Sequence, residues 1–139
     1  MSRGVGEIEA IVETAIYVGD LDAAEVFYRD VLGLEVIGRE AGRHVFFRVG
    51  DGVLLAFVPD ATLKGDMLPP HRATGPGHFA LGVRAEDLDD WRHGLEGHGV
   101  IIEQEVTWPR GGRSLYFRDP AGNSVELVTP GLWGLPGGW

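Results

Sequence analysis

Residues 11–18 read Ile-Val-Glu-Thr-Ala-Ile-Tyr-Val, and residues 78–83 read His-Phe-Ala-Leu-Gly-Val. In both stretches the residues alternate so that one side of an extended strand is predicted to face a core. Glu13 and His78 take the same place on the opposite side of the two strands. The two stretches lie about half the chain length apart, a spacing that is typical of a duplicated unit.

The elements that follow the first strand predict a βαβββ unit over about residues 9–58. Asp20 or Asp22 can cap a helix that ends at Gly33. The apolar stripe of this helix is Ala24, Phe27, Tyr28, Val31 and Leu32. Further strands are predicted over residues 34–37, 43–49 and 53–58, with Asp51-Gly52 as the tight turn between the last two.

The second strand is followed by the same order of elements, over about residues 78–130. A helix with Leu88, Trp91 and Leu95 on one face ends near Gly99. Strands are then predicted over residues 100–105, 114–118 and 124–129. Pro and Gly break up residues 59–77, which we interpret as a connector without regular structure, and residues 131–139, which form a tail.

Two such modules can bury their sheets only against each other. We therefore predict one α+β domain over residues 1–139, with two tandem βαβββ modules that form a curved eight-stranded mixed sheet around a central cleft. Helices should cover one face of each module. The other face, with Glu13 and His78, should line the cleft, where a small-molecule substrate would bind.

Composition excludes several classes of protein. The 139 residues include 12 Lys and Arg against 21 Asp and Glu, for a formal charge of -9, so a nucleic-acid-binding surface is not expected. The absence of Cys rules out disulfides, thiolate metal sites and Cys nucleophiles. No apolar run approaches the ~18 residues of a membrane span, so we expect a cytoplasmic protein without membrane contact.

Three side chains that can ligate a metal are predicted to meet on the cleft face. Alternation along the last strand places Glu126 on the same side as His78, and Glu13 is the counterpart of His78 in the first module. Two carboxylates and one imidazole would make a nearly neutral site around one divalent ion, which relieves the cost of burying the carboxylates. Glu13 and Glu126 would then also take part in catalysis.

Other residues are expected to contact the substrate. His71, in the connector, can fold over the cleft mouth and serve in proton transfer, and Tyr17 shares the strand face of Glu13. The loop Trp108-Pro-Arg-Gly-Gly-Arg113 places an aromatic ring beside Arg110 and Arg113, which are expected to bind an anionic group. His44 can face either side of its strand.

Two segments resemble the vicinal oxygen chelate superfamily, which includes glyoxalase I, extradiol dioxygenases and bleomycin resistance proteins. They are Val18-Gly-Asp-Leu-Asp-Ala-Ala-Glu-Val-Phe-Tyr-Arg-Asp-Val-Leu-Gly-Leu34 and Tyr116-Phe-Arg-Asp-Pro-Ala-Gly-Asn-Ser-Val-Glu-Leu127, within a likeness over residues 11–130. The resemblance implies paired βαβββ modules and one divalent metal ion (Fe, Mn, Zn, Ni or Co) that chelates neighbouring substrate oxygens. Its ligand positions match Glu13, His78 and Glu126.

The sequence also departs from known members. Glu13 stands where members commonly have His or Gln, which argues against an extradiol dioxygenase. Residues 53–57 offer no further ligand, which argues against glyoxalase I itself.

Two functional hypotheses follow. The first is a metal-dependent lyase, isomerase or dioxygenase that acts on a small oxygenated molecule by Lewis-acid catalysis. The alternative is a metal-free protein that sequesters an antibiotic-like molecule in an aromatic cleft. We further predict a C2 homodimer, with the tail around Leu132 and Trp133 at the interface or the cleft mouth, because large apolar residues rarely remain in water.

Overall fold

The computed structural model describes residues 5–64 and 68–139, in which eight strands form two four-stranded sheets. The first module contains β1 (Glu13–Tyr17), β2 (Glu35–Glu40), β3 (His44–Val49) and β4 (Gly52–Phe57). The second contains β5 (His78–Gly82), β6 (Gln104–Thr107), β7 (Arg113–Arg118) and β8 (Ser124–Val128).

The two sheets have the same topology, with orders β1-β4-β3-β2 and β5-β8-β7-β6. In each sheet the first strand pairs in parallel with the last, and the other pairs are antiparallel. The α+β class and the tandem βαβββ modules are therefore confirmed. The sheets are not closed into one another.

The helix of the first module changes type along its length. Asp20 caps α1 (Leu21–Glu25) by accepting a hydrogen bond from the backbone N–H of Ala23. The chain then continues as a π-helical turn over Val26–Val31, where the predicted stripe required an α-helix. Phe27 and Tyr28 are consecutive and both buried in this turn.

Two local predictions need correction. The β3–β4 turn places its positive φ of 55° on Gly50, so Asp51-Gly52 is shifted by one position relative to the tight turn. The connector includes a short helix, α2 (Pro59–Leu63), which Pro59 can start because the first helical turn needs no backbone donor there. Residues 65–67 of the connector lie outside the described part.

The second module follows its predicted order with one shifted strand. A 3-10 turn over Ala85–Asp87 leads into α3 (Leu88–Gly97). Val100 and Ile102 pack against the core instead of pairing with β7, so β6 begins only at Gln104. No helix in the described residues is long and apolar enough to cross a membrane.

The helix-covered faces of the two modules share one hydrophobic core. Phe27 of the first module packs against Phe117 of the second, with ring centroids 6.1 Å apart, and Tyr28 lies 6.3 Å from Phe79. Because these faces are buried together, the opposite faces of the two sheets lie on the outside of the chain. Glu13 and His78 are accordingly both exposed.

A buried polar network also joins the modules. The Tyr28 hydroxyl donates to Oδ2 of Asp119 at 2.8 Å, and both residues are buried. Asp119 also accepts from the backbone N–H groups of Ala121 and Asn123 and from the Asn123 side chain. Burial, with the nearby Asp119 carboxylate as a second cause, raises the pKa of Tyr28 far above its ordinary value.

Candidate functional site

The open face of the second sheet, opposite the helices, is built from three rows of paired residues. Strand register defines the outer row as His78, Ser124 and Arg118, the middle row as Ala80, Glu126 and Tyr116, and the inner row as Gly82, Val128 and Ser114. Side chains alternate along a strand, so His78, Glu126 and Ser114 lie on one face, as predicted for the first two.

His78 and Glu126 form the polar centre of this face. Nε2 of His78 lies 3.3 Å from Oε1 of Glu126. Nδ1 of His78 lies 3.1 Å from the backbone carbonyl oxygen of Ser124, and because a carbonyl only accepts, Nδ1 carries the proton in this hydrogen bond. The lone pair of a neutral His78 would then face a carboxylate oxygen, an arrangement that requires a proton or a cation between them.

Glu126 is buried among further polar groups. Its side chain is 7% exposed, whereas that of His78 is 52% exposed. The Ser114 hydroxyl donates to Oε2 of Glu126 at 2.5 Å, and the Trp108 indole donates to the Ser114 hydroxyl at 2.8 Å. Burial and then the Glu126 carboxylate raise the pKa of Tyr116, so its neutral form is favoured.

The open face of the first module has a different chemistry. Glu13, Ala15 and Tyr17 alternate along β1 on this face. The Tyr17 hydroxyl oxygen lies 2.6 Å from Nδ1 of His71, within hydrogen-bond distance. The connector is held there because the backbone N–H of His71 donates to Thr62 O.

Aromatic rings surround the Tyr17–His71 pair. Phe57 is centred 4.8 Å from His71 and 5.5 Å from Phe46, and Phe46 stacks on His44 at 3.9 Å. Nδ1 of His44 is buried without a hydrogen-bond partner in the described part of the chain. Burial lowers the pKa of His44, so the neutral imidazole is favoured.

A divalent ion can be tested against these side chains. The imidazole of His78 and the carboxylate of Glu126 are a suitable pair of ligands, and the Ser124 carbonyl orients the imidazole as metal-bound histidines commonly require. Glu13 lies on the other module, and the described residues contain no group of three or more metal-ligating side chains. Within one chain, two of the three predicted ligands are therefore together.

Comparison with known proteins gives the family. The model of the Glyoxalase/Bleomycin resistance protein/Dioxygenase superfamily matches residues 10–127. The chain belongs to this superfamily. The resemblance seen in the sequence is thereby confirmed.

Three proteins similar to this superfamily member have names that state an enzymatic activity. The crystal structure of a lactoylglutathione lyase from Agrobacterium tumefaciens is 43% identical, covers 94% of this chain and 100% of that chain, and superimposes with a TM-score of 0.89. Metallothiol transferase FosB from Staphylococcus haemolyticus is 27% identical over 126 residues, 90% of this chain and 86% of the relative. Lactoylglutathione lyase from Haemophilus influenzae is 26% identical over 125 residues, 85% of this chain and 90% of the relative. The named relatives are enzymes, as the sequence predicts for this chain.

Some of the other predicted site residues lie near these two groups in the superfamily member, and others do not. Trp108 joins the Glu126 group through Ser114, and Tyr17 and His71 meet on the first module. Arg113 does not join either group. It alternates with Ser114 on β7, so its guanidinium lies on the opposite side, where it pairs with Glu105 at 2.5 Å. Arg110 is exposed in the loop before β7.

Several residues on the two open faces were not among the predicted site residues. Ser114 and Tyr116 could have been found, because they alternate with the apolar Leu115 and Phe117 along one predicted strand. Phe46 and Phe57 follow the same rule in the first module. Trp139 also reaches the open face of the second sheet, at Gly82, through a contact between distant segments that has no local signal.

Proposed function

We propose that this protein is a divalent-metal-dependent enzyme that acts on a small oxygenated substrate by bidentate chelation, as a lyase, isomerase or dioxygenase. The 3.3 Å approach of His78 Nε2 to Glu126 Oε1 supports the proposal most directly. This pair requires a proton or a cation between its atoms, and a divalent ion meets that requirement while it leaves coordination positions for substrate. A relative named metallothiol transferase supports the same direction.

We propose that Glu13 from a second copy completes the site. The open faces lie on the outside of the chain, so Glu13 can approach His78 and Glu126 only if the first module of one copy covers the second module of another. The C2 homodimer would form two equivalent sites in this way. The exposed Trp133, at 67%, and the half-buried Leu132 are available to pack at that interface. Within each copy, the shared core supports a single domain.

The residues of the chain would then have separate roles in the reaction. A bound divalent ion supplies Lewis-acid polarisation of two neighbouring substrate oxygens. Tyr17 and His71 share a proton in their hydrogen bond, so the pair can take up or release one at the substrate. Arg110 is the guanidinium we assign to an anionic substrate group, since Arg113 is engaged by Glu105.

Metal binding by mixed variants tests this proposal. Purified His78→Ala and Glu13→Ala proteins should each lose binding of Zn²⁺ or Ni²⁺ in calorimetry. When they are mixed at equal amounts and allowed to exchange subunits, heterodimers with one intact site should restore about a quarter of the wild-type metal content per chain. Sedimentation of each variant, which should remain dimeric, is the control.

The outcomes separate the parts of the proposal. Equal metal uptake by wild type and His78→Ala would rule out the His78–Glu126 site. Loss of binding in both variants without recovery in exchanged heterodimers would rule out the shared site. A protein that binds a cationic aromatic drug and no metal would support the sequestering alternative.

A further inference from the structure

The indole of Trp139 lies directly on the backbone of Gly82. A Cβ atom built on Gly82 would come 2.7 Å from Cζ2 and 2.8 Å from Cζ3 of this indole, closer than real Cβ contacts occur. Gly82 does not have a positive φ, so the backbone conformation does not require glycine there. Glycine is required there because the indole occupies the space that a Cβ atom would need.

This contact places Trp139 in the inner row of the second sheet's open face. Gly82 pairs with Val128, and Val128 pairs with Ser114, whose hydroxyl donates to Glu126. The Glu126 row lies two residues farther along the strands, roughly 7 Å away. Trp139 therefore lies near the row of Glu126, one of the proposed metal ligands, although no local sequence pattern links the two positions.

The segment that leads to Trp139 packs on the loop before β7 at its start, and a hydrogen bond within the segment fixes its end. The backbones of Gly112 and Gly131 pack closely, since a Cβ on Gly131 would lie 3.4 Å from the Gly112 backbone nitrogen. Farther along, the backbone N–H of Leu135 donates to Trp139 O at 2.8 Å. The indole rests on the sheet and is still 39% exposed.

We propose that Trp139 is a substrate-contacting residue that stacks on a planar group, an aromatic ring or a conjugated system attached to the chelating oxygens. This inference rests on the proposed function for the position of those oxygens. One side of the indole is supported by the Gly82 backbone, and part of its surface is exposed on the same sheet face as Glu126. A fixed ring of this kind favours a flat apolar group, because stacking adds to the burial of apolar area.

Two 2-oxo acids test the proposal. Benzoylformate and pyruvate present the same neighbouring oxygens and differ by a phenyl in place of a methyl group. We would titrate each into ¹⁵N-labelled protein, with and without Zn²⁺, and follow the indole N–H resonance that the Trp139→Phe variant identifies by its loss. Benzoylformate should shift this resonance and bind about three- to tenfold more tightly than pyruvate, whereas pyruvate should leave the resonance in place.

Variants at both ends of the contact sharpen the test. Trp139→Ala should remove the preference for benzoylformate, and Trp139→Phe should retain part of it. Gly82→Ala should also weaken the preference because its methyl group displaces the indole. In the Trp139→Ala background, Gly82→Ala should have no additional effect.

The possible results distinguish the role of Trp139 from the metal-dependent function. Retention of the full preference in Trp139→Ala, or no shift of the indole resonance with benzoylformate under either condition, would overturn the role of Trp139. A shift and preference that do not depend on Zn²⁺ would support Trp139 and count against the metal-dependent function.

Discussion

Replacement of Tyr28 by Phe should lower stability by about 1.5–3 kcal/mol, the usual range for a buried hydrogen bond to a charged group. The Tyr28 hydroxyl donates to Asp119 at 2.8 Å, and Tyr28 is fully buried while Asp119 is 4% exposed. In the variant, Asp119 loses one hydrogen-bond donor and keeps its hydrogen bonds from Ala121 and Asn123. In urea unfolding, the midpoint should fall by roughly 1 M.

The pH dependence gives this prediction an independent check. Burial and the Asp119 charge raise the pKa of Tyr28 in the folded protein, whereas an unfolded tyrosine titrates at about 10. The unfolded chain therefore releases this proton first, and the stability conferred by the neutral hydroxyl is lost as pH rises above about 10. Tyr28→Phe should lack this loss, so the difference between the two proteins should narrow at high pH.

Tyr17→Phe is the matched control, because it removes the same atom from an exposed hydrogen bond with His71. Its cost should stay below about 1 kcal/mol. Equal destabilisation by the two variants, or a Tyr28→Phe protein within about 0.5 kcal/mol of wild type, would refute the role of the buried network.

Further predictions concern His44, Glu105 and Arg110. Burial lowers the pKa of His44, so the unfolded state takes up its proton first and stability falls as pH drops through about 6.5. His44→Phe should therefore lose less stability than wild type between about pH 7.5 and 5 in thermal unfolding. Glu105→Gln removes the negative charge of the acceptor shared by Arg92 and Arg113 and should cost about 0.5–1 kcal/mol at low salt, with little cost in concentrated NaCl. Arg110→Gln should raise KM for an anionic substrate more than it lowers kcat, whereas Arg113→Gln should leave KM unchanged. An equal rise in KM in the two variants would show that Arg113 also contacts the substrate.

Alternation along strands predicted the part of the site that lies within one sheet. His78 and Glu126 were placed on one face by the phase of β5 and β8, and the structure brings them together. Alternation was not applied to Arg113, which was assigned to a flexible loop. As the first residue of β7, it takes the phase opposite to Ser114.

Local sequence patterns could not predict how the two modules pack against each other. Glu13 and His78 are equivalent in the repeat, yet equivalence does not say which faces of the two sheets meet. That choice depends on contacts between distant residues, such as Phe27 with Phe117 and Tyr28 with Asp119. Trp139 on Gly82 is a similar case, since only the folded chain brings these two positions together.

The separation of the two sheet faces has a consequence for divergence. The shared core is built from the helix-covered faces, whereas the rows that include His78, Glu126 and Gly82 belong to the opposite face of the sheet. Substitutions in these rows can change ligand chemistry while most core contacts remain, so a new activity need not be accompanied by a large loss of stability. One scaffold can therefore acquire different reactions by altering one face, which is consistent with a superfamily whose named members include both a lyase and a transferase.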